Sequence, residues 1–252
     1  MTGPIFATAL AEGPEDLAAA QRLRYEVFVA ELGGDGPLVD HAARREADAF
    51  DPYFDHLLLR DLARPEGDRV VGVYRLMPQP RRAVAGRFYS EDEYDLTPLL
   101  TSGKRVLELG RSCLHAEYRG GTAMMHLWQG LADYVARHGI EVLFGVASFH
   151  GTDVSSLAAP LSLLHHRHLA PPPLRVRSRA FQRMDLMPLD AIDRIAAMRA
   201  TPALIKGYLR LGGMVGEGAY VDRAFNTTDV CLVMDTAQLN ARQAGLYTRA
   251  RA

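Results

Sequence analysis

The segment from residue 105 to residue 148 constrains the fold more than any other part of the chain. Residues 105–114 have the composition of a strand, Gly120-Gly121 form a turn, and residues 122–138 place apolar side chains at helical spacing. Gly139 ends that helix, and an almost wholly apolar run of strand length follows over 142–148. This order of strand, glycine turn, helix and strand predicts a βαβ-like unit whose last strand is central.

Other elements flank this unit on both sides. Pro14 with two acids behind it predicts a helix that Gly33-Gly34 end, and the spacing of Ser90 and Glu93 predicts a short helix with a capping box. The runs 56–60 and 69–77 predict an antiparallel hairpin. Beyond the central unit we expect the following elements: a helix over 154–168, a helix from residue 189 with a break or new start at Pro202, a glycine-rich loop over 212–218, and two strands within 219–235.

The composition fits a globular α/β chain. Its 252 residues are 48% hydrophobic and 23% charged, which excludes disorder and coiled coil as descriptions of the whole chain. The chain shows no internal repeat and no linker long enough to separate autonomous domains. We therefore predict one domain with a mixed sheet, a core over residues 15–150 and a C-terminal elaboration over 151–240.

The compartment and metal content follow from what the sequence lacks. Two cysteines without a CxxC pair, no leader pattern and no apolar run of about 18 residues predict a cytoplasmic protein, peripheral to the inner membrane at most. No carboxylate or cysteine lies near His165, His166 and His168, so we predict no metal site there. His56 and Asp61 have the spacing of an acyltransferase dyad, but an offset of five on a strand places them on opposite faces.

The net charge of −1 hides an uneven distribution. It argues against a nucleic-acid-binding protein, yet acids gather in residues 31–55 and none occurs between residues 154 and 184. That acid-free stretch suits acidic acyl carrier protein or anionic lipid headgroups. A solvated basic face balanced by acids elsewhere is the alternative. The candidate docking residues are Arg167, Arg175, Arg177 and Arg179.

The glycine turn before the long helix is a candidate phosphate site. Backbone N–H groups at such a turn, with the helix dipole behind them, bind phosphate, although a purely structural turn has the same sequence. The segment resembles the pyrophosphate loop of the GNAT acyltransferase superfamily, which implies a GNAT-like fold. Thr122 and Met124 replace small residues of that pattern, so acceptance of coenzyme A thioesters stays open and a phosphopantetheine arm is the expected ligand. Its predicted contacts are Arg119, Gly120, Gly121 and Thr122.

A second set of charged residues has an order of its own. Glu108 and Gly110 share one face of a strand, where a carboxylate is costly unless it is paired or poised for chemistry, and Arg111 is a possible partner. The acids at 46, 48 and 51 form either a site for a cationic amine or a solvated loop. Along the chain the order is Arg24, the three acids, Arg75, Glu108 and Arg111. This order resembles that of acyl-homoserine-lactone synthases, which are GNAT-fold enzymes that use acyl carrier protein. It implies catalytic roles for Glu108 and Arg111 and substrate binding by Arg24, Glu46, Asp48, Asp51 and Arg75.

A closer resemblance runs from residue 20 to residue 235. The stretches LELGRSCLHAEYRGGTAMMHLWQGLADYV, LFGVASFHGTD and ALIKGYLRLGGMVGEGAYVDRAFNTTDVCLVMD resemble the L-ornithine N-alpha-acyltransferases. The resemblance implies transfer of a 3-hydroxyacyl chain from acyl carrier protein to ornithine, which gives lyso-ornithine lipid. It implies no resident cofactor, because the donor's phosphopantetheine carries the acyl chain.

Three alternatives remain open from the sequence. One is an acyl-homoserine-lactone synthase, although the single tryptophan, Trp128, lies outside the N-terminal third where those enzymes carry one. Another is acylation of glutamine or lysine in place of ornithine. The third is a membrane-associated module that binds acyl carrier protein without catalysis.

Overall fold

The computed structural model describes residues 3–239, and its contacts divide them into two compact units. The first unit contains the residues through Gly86 together with Leu109–Gly139. The second contains Arg87–Glu108 and the residues from Ile140 to 239. The expectation of a single domain stays a prediction.

Ten strands and seven α-helices are assigned within residues 3–239. The strands are β1 Phe6–Leu10, β2 Asp55–Asp61, β3 Val70–Pro78, β4 Tyr94–Asp95, β5 Val106–Leu114, β6 Val142–His150, β7 Arg177–Ser178, β8 Met214–Val215, β9 Tyr220–Asp222 and β10 Thr227–Asp235. The helices are α1 Pro14–Arg24, α2 Gln79–Ala85, α3 Thr97–Leu100, α4 Ala123–His138, α5 Ala158–His168, α6 Arg194–Ala200 and α7 Ala203–Arg210.

The first unit is a sheet with helices packed on it. Strand β2 pairs antiparallel with β1 and with β3, and β5 is the next strand of the sheet beside β3. Leu23 on α1 packs against Leu58 and Val73 of these strands in a buried apolar cluster. Gly130 of α4 lies so close to Leu57 that an added Cβ would be 3.2 Å from its side chain, so α4 sits tightly on β2.

The second unit is built around β6. This strand pairs in parallel with β5 over Val106–Glu108 and antiparallel with β10 along its whole length. Strands β8 and β9 add to β10. A smaller apolar cluster joins α5 to α6 through Leu163, Ile192 and Ala197. None of the helices in the described part of the chain has the length and apolar character needed to span a bilayer.

The central prediction is confirmed. Strand β5, helix α4 and strand β6 follow one another as expected, with Gly139 in the left-handed region at φ +58° and β6 between β5 and β10. The helix from Pro14, the hairpin of β2 and β3, and the two strands around Asn226 are confirmed as well. The fold class is therefore α/β with a mixed sheet.

Two boundaries were wrong because side chains compete for backbone groups. The Asp153 carboxylate accepts from the N–H and hydroxyl of Ser155, so the helix predicted from residue 154 begins only at Ala158. Asp193 caps α6 by accepting from the N–H groups of Ile195 and Ala196, which moves the start predicted at residue 189 to Arg194. Residues 189–191 form a short 3₁₀ turn instead.

The short helix predicted at Ser90 exists, but its predicted capping box is wrong. The 3₁₀ helix Tyr89–Asp92 begins one residue earlier, and the Ser90 N–H donates to Glu108 rather than to Glu93. Several elements were missed. They are the strands β1, β4 and β7, the helices α2 and α3, and β8 within the predicted glycine-rich loop.

Gly213→Ala is expected to destabilise the second unit. The added Cβ would lie 2.8 Å from the carbonyl oxygen of Tyr208, which already accepts from the Gly213 N–H at the end of α7. Overpacking of this kind costs about 1–3 kcal/mol. Urea unfolding measures the loss, and Gly67→Ala is the matched control because a Cβ there meets open space. Equal stability of both variants would contradict the close packing at Gly213.

Candidate active site

Six of the predicted site residues form one buried charge network in the first unit. Arg24 binds Glu46 at 2.5 Å and Asp51 at 2.6 Å. The other contacts are Arg75 with Asp48 at 2.7 Å, Arg75 with Asp51 at 2.8 Å, Arg111 with Glu46 at 3.2 Å, and Arg111 with Asp48 at 3.3 Å. Each guanidinium therefore bridges two carboxylates, and each carboxylate bridges two guanidiniums.

The network is electrically balanced, which keeps its carboxylates ionised. Burial by itself would raise the pKa of Glu46, but Arg111 and Arg24 outweigh burial and hold that pKa below its usual value. Arg24 and Arg75 likewise overcome burial and lower the pKa of Asp51 strongly. Burial would lower the pKa of Arg24, whereas Glu46 and Asp51 raise it. Three positive and three negative charges thus compensate one another out of water.

Solvent reaches only one edge of this network. Arg24, Arg75, Glu46 and Asp51 are at most 4% exposed, whereas Asp48 is 18% and Arg111 is 16% exposed. Any molecule that approaches the network in this conformation meets Asp48 and Arg111 first. The other four residues hold these two in place.

Two positioning residues were not identified from the sequence. Gln21, three positions before Arg24 on α1, donates to the Asp51 carboxylate at 2.9 Å, and its carbonyl oxygen accepts from the Glu46 N–H at 3.1 Å. His56 contacts the Asp51 carbonyl oxygen through Nε2 at 3.0 Å, and burial lowers its pKa. The spacing of Gln21 to Arg24 on a helix was the available signal for the first of these.

Unusual backbone conformations occur next to Arg24 and at Arg111, two members of the charge network. Helix α1 continues directly into a seven-residue π-helix, Tyr25–Glu31, immediately after Arg24. Arg111 has a φ of +48° in the middle of β5, a strained value for a residue with a side chain. Strained backbone of this kind concentrates at functional sites.

Glu108 is buried in the second unit and is held by the backbone. It is 1% exposed, and its two oxygens accept from the N–H groups of Ser90 at 2.6 Å and Tyr89 at 2.9 Å. These donors begin the 3₁₀ helix Tyr89–Asp92. The backbone therefore fixes both oxygens of the carboxylate, while Arg111 has its ion pairs with Glu46 and Asp48.

The predicted phosphate loop precedes the sixteen-residue helix α4. Gly120 has a φ of +78°, and Thr122 is the residue before the first helical turn. The start of a helix favours anions, and the loop residues Gly120, Gly121 and Thr122 in front of α4 are exposed. Ala123 at the start of α4 is buried, and the Met125 N–H donates to the Thr122 carbonyl oxygen. Arg119 is engaged elsewhere: it binds Glu31 through two contacts of 2.5 and 2.7 Å and donates to the Leu114 carbonyl oxygen.

The predicted docking arginines differ in what they contact. Arg175 donates to the carbonyl oxygen of Ala170, and Arg179 donates to that of Glu91. Arg177 pairs with Glu217 at 2.8 Å, so an acid distant in sequence offsets part of the charge of the acid-free stretch. Arg167 is exposed at the end of α5.

The remaining histidine and acid motifs have structural partners. Asp61 accepts from the Tyr118 hydroxyl and from the N–H groups of Ile5 and Ala63, so it and His56 serve different parts of the first unit. His166 contacts the carbonyl oxygen of Met187. Residues 3–239 contain no group of three His, Cys, Asp or Glu side chains placed to hold a metal ion.

Sequence comparison relates this chain to acyltransferases. The family model described as "Acetyltransferase (GNAT) domain" matches residues 23–129. An L-ornithine N(alpha)-acyltransferase from Rhodobacter capsulatus is 62% identical over 95% of this chain and 93% of its own length. The enzyme of the same name from Brucella abortus is 44% identical over 94% of this chain and 87% of its own length. The chain belongs to the L-ornithine N(alpha)-acyltransferase family.

Solved structures show the fold of this family member. An N-acyl amino acid synthase from uncultured soil microbes matches 93% of each chain with a TM-score of 0.53 at 12% identity. A CoA-dependent acyl-homoserine lactone synthase, determined with SAM and isopentyl-CoA, matches 98% of this chain and 92% of that chain with a TM-score of 0.52 at 14% identity. The predicted GNAT-like fold is confirmed.

The charge network makes stability in this family member depend on pH. Because Glu46, Asp48 and Asp51 have pKa values below their ordinary 4.5 and 3.8 in the folded protein, their stabilisation is complete above those values. It is lost as the pH falls through the folded pKa values. We expect the free energy of unfolding to decline steadily below about pH 5. Urea unfolding at constant ionic strength from pH 7 to pH 3 measures it.

Asp51→Asn tests the source of this dependence. The variant leaves Arg24 and Arg75 buried with one carboxylate fewer, which costs about 3–5 kcal/mol at pH 7 and flattens the acid decline. Asp190→Asn removes an exposed carboxylate and should change neither quantity. A folded Asp51→Asn protein with unchanged stability would contradict the network's role; if it does not fold, the pH series on the unsubstituted protein decides.

Proposed function

We propose that the protein transfers a 3-hydroxyacyl chain from acyl carrier protein to the α-amine of L-ornithine, forming lyso-ornithine lipid. The observation that carries this proposal is the 62% identity to a named L-ornithine N(alpha)-acyltransferase over nearly the full length of both chains. The acyl-homoserine lactone synthase shares the fold at only 14% identity, so it gives no comparable support for lactone synthesis.

Ornithine carries a carboxylate and a second, cationic amine that distinguish it from simpler amines. In the proposal, Arg111 binds the α-carboxylate and Asp48 binds the δ-ammonium, because these are the members of the network that solvent reaches. Arg24, Glu46, Asp51 and Arg75 act as positioning residues. Preorganised charges of this kind lower the entropic cost of alignment for the reacting amine.

Glu108 is the proposed base for the transfer. The neutral α-nitrogen attacks the thioester carbonyl carbon, a C–N bond forms, and the C–S bond breaks. The proton leaves the nitrogen for Glu108, directly or through a water, and the departing thiolate takes up a proton. Two backbone N–H donors fix the Glu108 carboxylate, which is how a base is held in one orientation.

The donor is proposed to enter at the loop before α4. The exposed loop residues Gly120, Gly121 and Thr122 in front of the helix suit the phosphate of a phosphopantetheine arm. Arg119 then shapes the loop through Glu31 instead of contacting the phosphate. The acyl carrier supplies the thioester, so the protein needs no cofactor of its own.

The product sets the proposed location. Lyso-ornithine lipid joins an acyl chain to a zwitterionic headgroup, so it partitions into a bilayer once released. We therefore propose that the enzyme works as a peripheral protein at the inner face of the inner membrane. An excess of basic residues within the segment 158–210 supports attachment to anionic lipid.

The purified protein should convert L-ornithine and 3-hydroxyacyl-acyl carrier protein into N-acylornithine, detected by mass spectrometry. L-glutamine, L-lysine and S-adenosylmethionine serve as competing acceptors, and the matching 3-hydroxyacyl-coenzyme A serves as a competing donor. We expect ornithine and the carrier-bound donor to have the highest kcat/KM. Faster formation of acylglutamine, acyllysine or a lactone would overturn the assignment.

Glu108→Gln should lower kcat by about 10²–10⁴-fold, because general acid–base groups contribute rate factors of that size. Glu108→Asp keeps the charge and should retain more activity. Glu15→Gln, on the exposed first turn of α1, is the matched control and should behave like the unsubstituted protein. Circular dichroism verifies folding, and a folded Glu108→Gln protein within threefold of the original kcat would exclude Glu108 as the base.

A further inference from the structure

One segment of the second unit has a clear excess of positive charge. Residues 158–210 contain nine arginine and lysine side chains and three aspartates, in a chain whose net charge is −1. The segment includes α5, α6 and α7. A local excess of this size favours an anionic partner.

The three arginines of α5 and α6 have no internal partner among the described residues. Among the described residues, Arg167, Arg194 and Arg199 make no hydrogen bond or ion pair through their side chains, and all three are exposed. Burial lowers the pKa of His168, and the nearby charges of Arg167 and Arg194 lower it further. Both arginines therefore lie close to His168. Arg175, Arg177 and Arg179, by contrast, are engaged by Ala170, Glu217 and Glu91.

Two exposed aliphatic side chains adjoin the apolar cluster of α5 and α6, because Leu186 precedes Met187 and Ile195 is two residues before Ala197. Ile195, beside Arg194 and one turn before Arg199 on α6, is 75% exposed, and Leu186 is 39% exposed. Large aliphatic side chains at this exposure gain free energy when an apolar phase covers them. Cations around protruding apolar residues are typical of proteins that bind at the bilayer interface.

The scaffold beneath these residues is well fixed. The Ser162 hydroxyl of α5 accepts from the N–H groups of Leu186 and Met187 and donates to the Met184 carbonyl oxygen, which holds the segment carrying Leu186. Ile192 and Ala197 pack on α5 and fix α6. A surface with a fixed shape loses little conformational entropy when it binds.

We propose that Arg167, Leu186, Arg194, Ile195 and Arg199 form a platform that binds the surface of an anionic phospholipid bilayer. The arginines contact lipid phosphates, and Ile195 and Leu186 enter the headgroup region. The inference deepens the proposed function, since it names the surface by which the enzyme meets the membrane that receives its product. A carrier protein is the less suitable partner, because it would need hollows to accept both projecting side chains.

The acids of this region do not cancel the platform. Asp185 pairs with Arg183, and the Asp193 carboxylate is used in capping α6. Asp190 is the exposed acid that remains nearby. Each basic residue near an anionic membrane surface strengthens binding about fivefold, so two reversed arginines should have a large effect.

Vesicle co-sedimentation of the full chain tests the platform without substrates. Vesicles of phosphatidylcholine with 30% phosphatidylglycerol are compared with vesicles of phosphatidylcholine alone. We expect Arg194→Glu/Arg199→Glu to weaken partitioning onto the anionic vesicles at least tenfold, and Ile195→Ser to weaken it about threefold or more. Binding to the neutral vesicles should be weak for every variant.

The controls carry the same changes elsewhere. Arg22→Glu/Arg223→Glu reverses two exposed arginines elsewhere, so that this control has the same net charge as the platform double variant. Val84→Ser replaces another aliphatic side chain that is 75% exposed. Both should bind within twofold of the unsubstituted protein. Equal losses in platform and control variants, or none in either, would overturn the proposal.

The acylation assay in solution separates the two proposals. If the platform variants bind vesicles normally but have a raised KM for acyl carrier protein, the surface docks the carrier and the bilayer assignment is wrong. If no acylornithine forms with any variant while vesicle binding follows the expected pattern, the proposed function fails and the platform stands.

Discussion

The first unit depends on charge compensation in its interior. Three guanidiniums and three carboxylates pair with one another in a largely buried network. They come from α1, the segment before β2, strand β3 and strand β5. The desolvation of six charges is tolerable only because every one of them has two opposite neighbours. Removing any member leaves a charge buried without full compensation, so the geometry of the elements and the composition of the site are tied together. A substrate that contacts Asp48 or Arg111 therefore meets side chains already locked in place.

The sequence predicted which charged residues would converge but not how they would pair. The order of Arg24, the three acids, Arg75 and Arg111 resembles that of acyl-homoserine-lactone synthases, and this resemblance implied one site. The acids themselves fitted either a site for a cationic amine or a solvated loop, whereas the structure shows each of them bridging two arginines. Pairing of this kind depends on side chains separated by 22 to 65 positions in the chain, and no local pattern records it. Glu108 is a related case, because its observed partners are backbone N–H groups, which no side-chain pattern reveals.

The fold was most predictable where a local cause decides the structure. Pro14 at the first helical position, Gly139 in the left-handed region and the apolar run of β6 each have a direct physical effect, and each element was placed correctly. The boundaries near Ser155 and Asp193 were wrong because small polar side chains offered backbone groups an alternative. Strand β1 has only five residues and gains its stability from pairing with β2, so its sequence carries little signal. The π-helix after Arg24 has an α-helical sequence pattern and was equally invisible.

That π-helix fixes a register between two parts of the first unit. Arg24, immediately before it, belongs to the charge network, and Glu31 at its end binds Arg119 in the loop before α4. One residue more or less between them would rotate Glu31 around the helix axis and detach it from Arg119. The length of this segment is thus constrained even where its side chains are not. Insertions and deletions, rather than substitutions, are the changes that residues 25–31 should tolerate least during evolution.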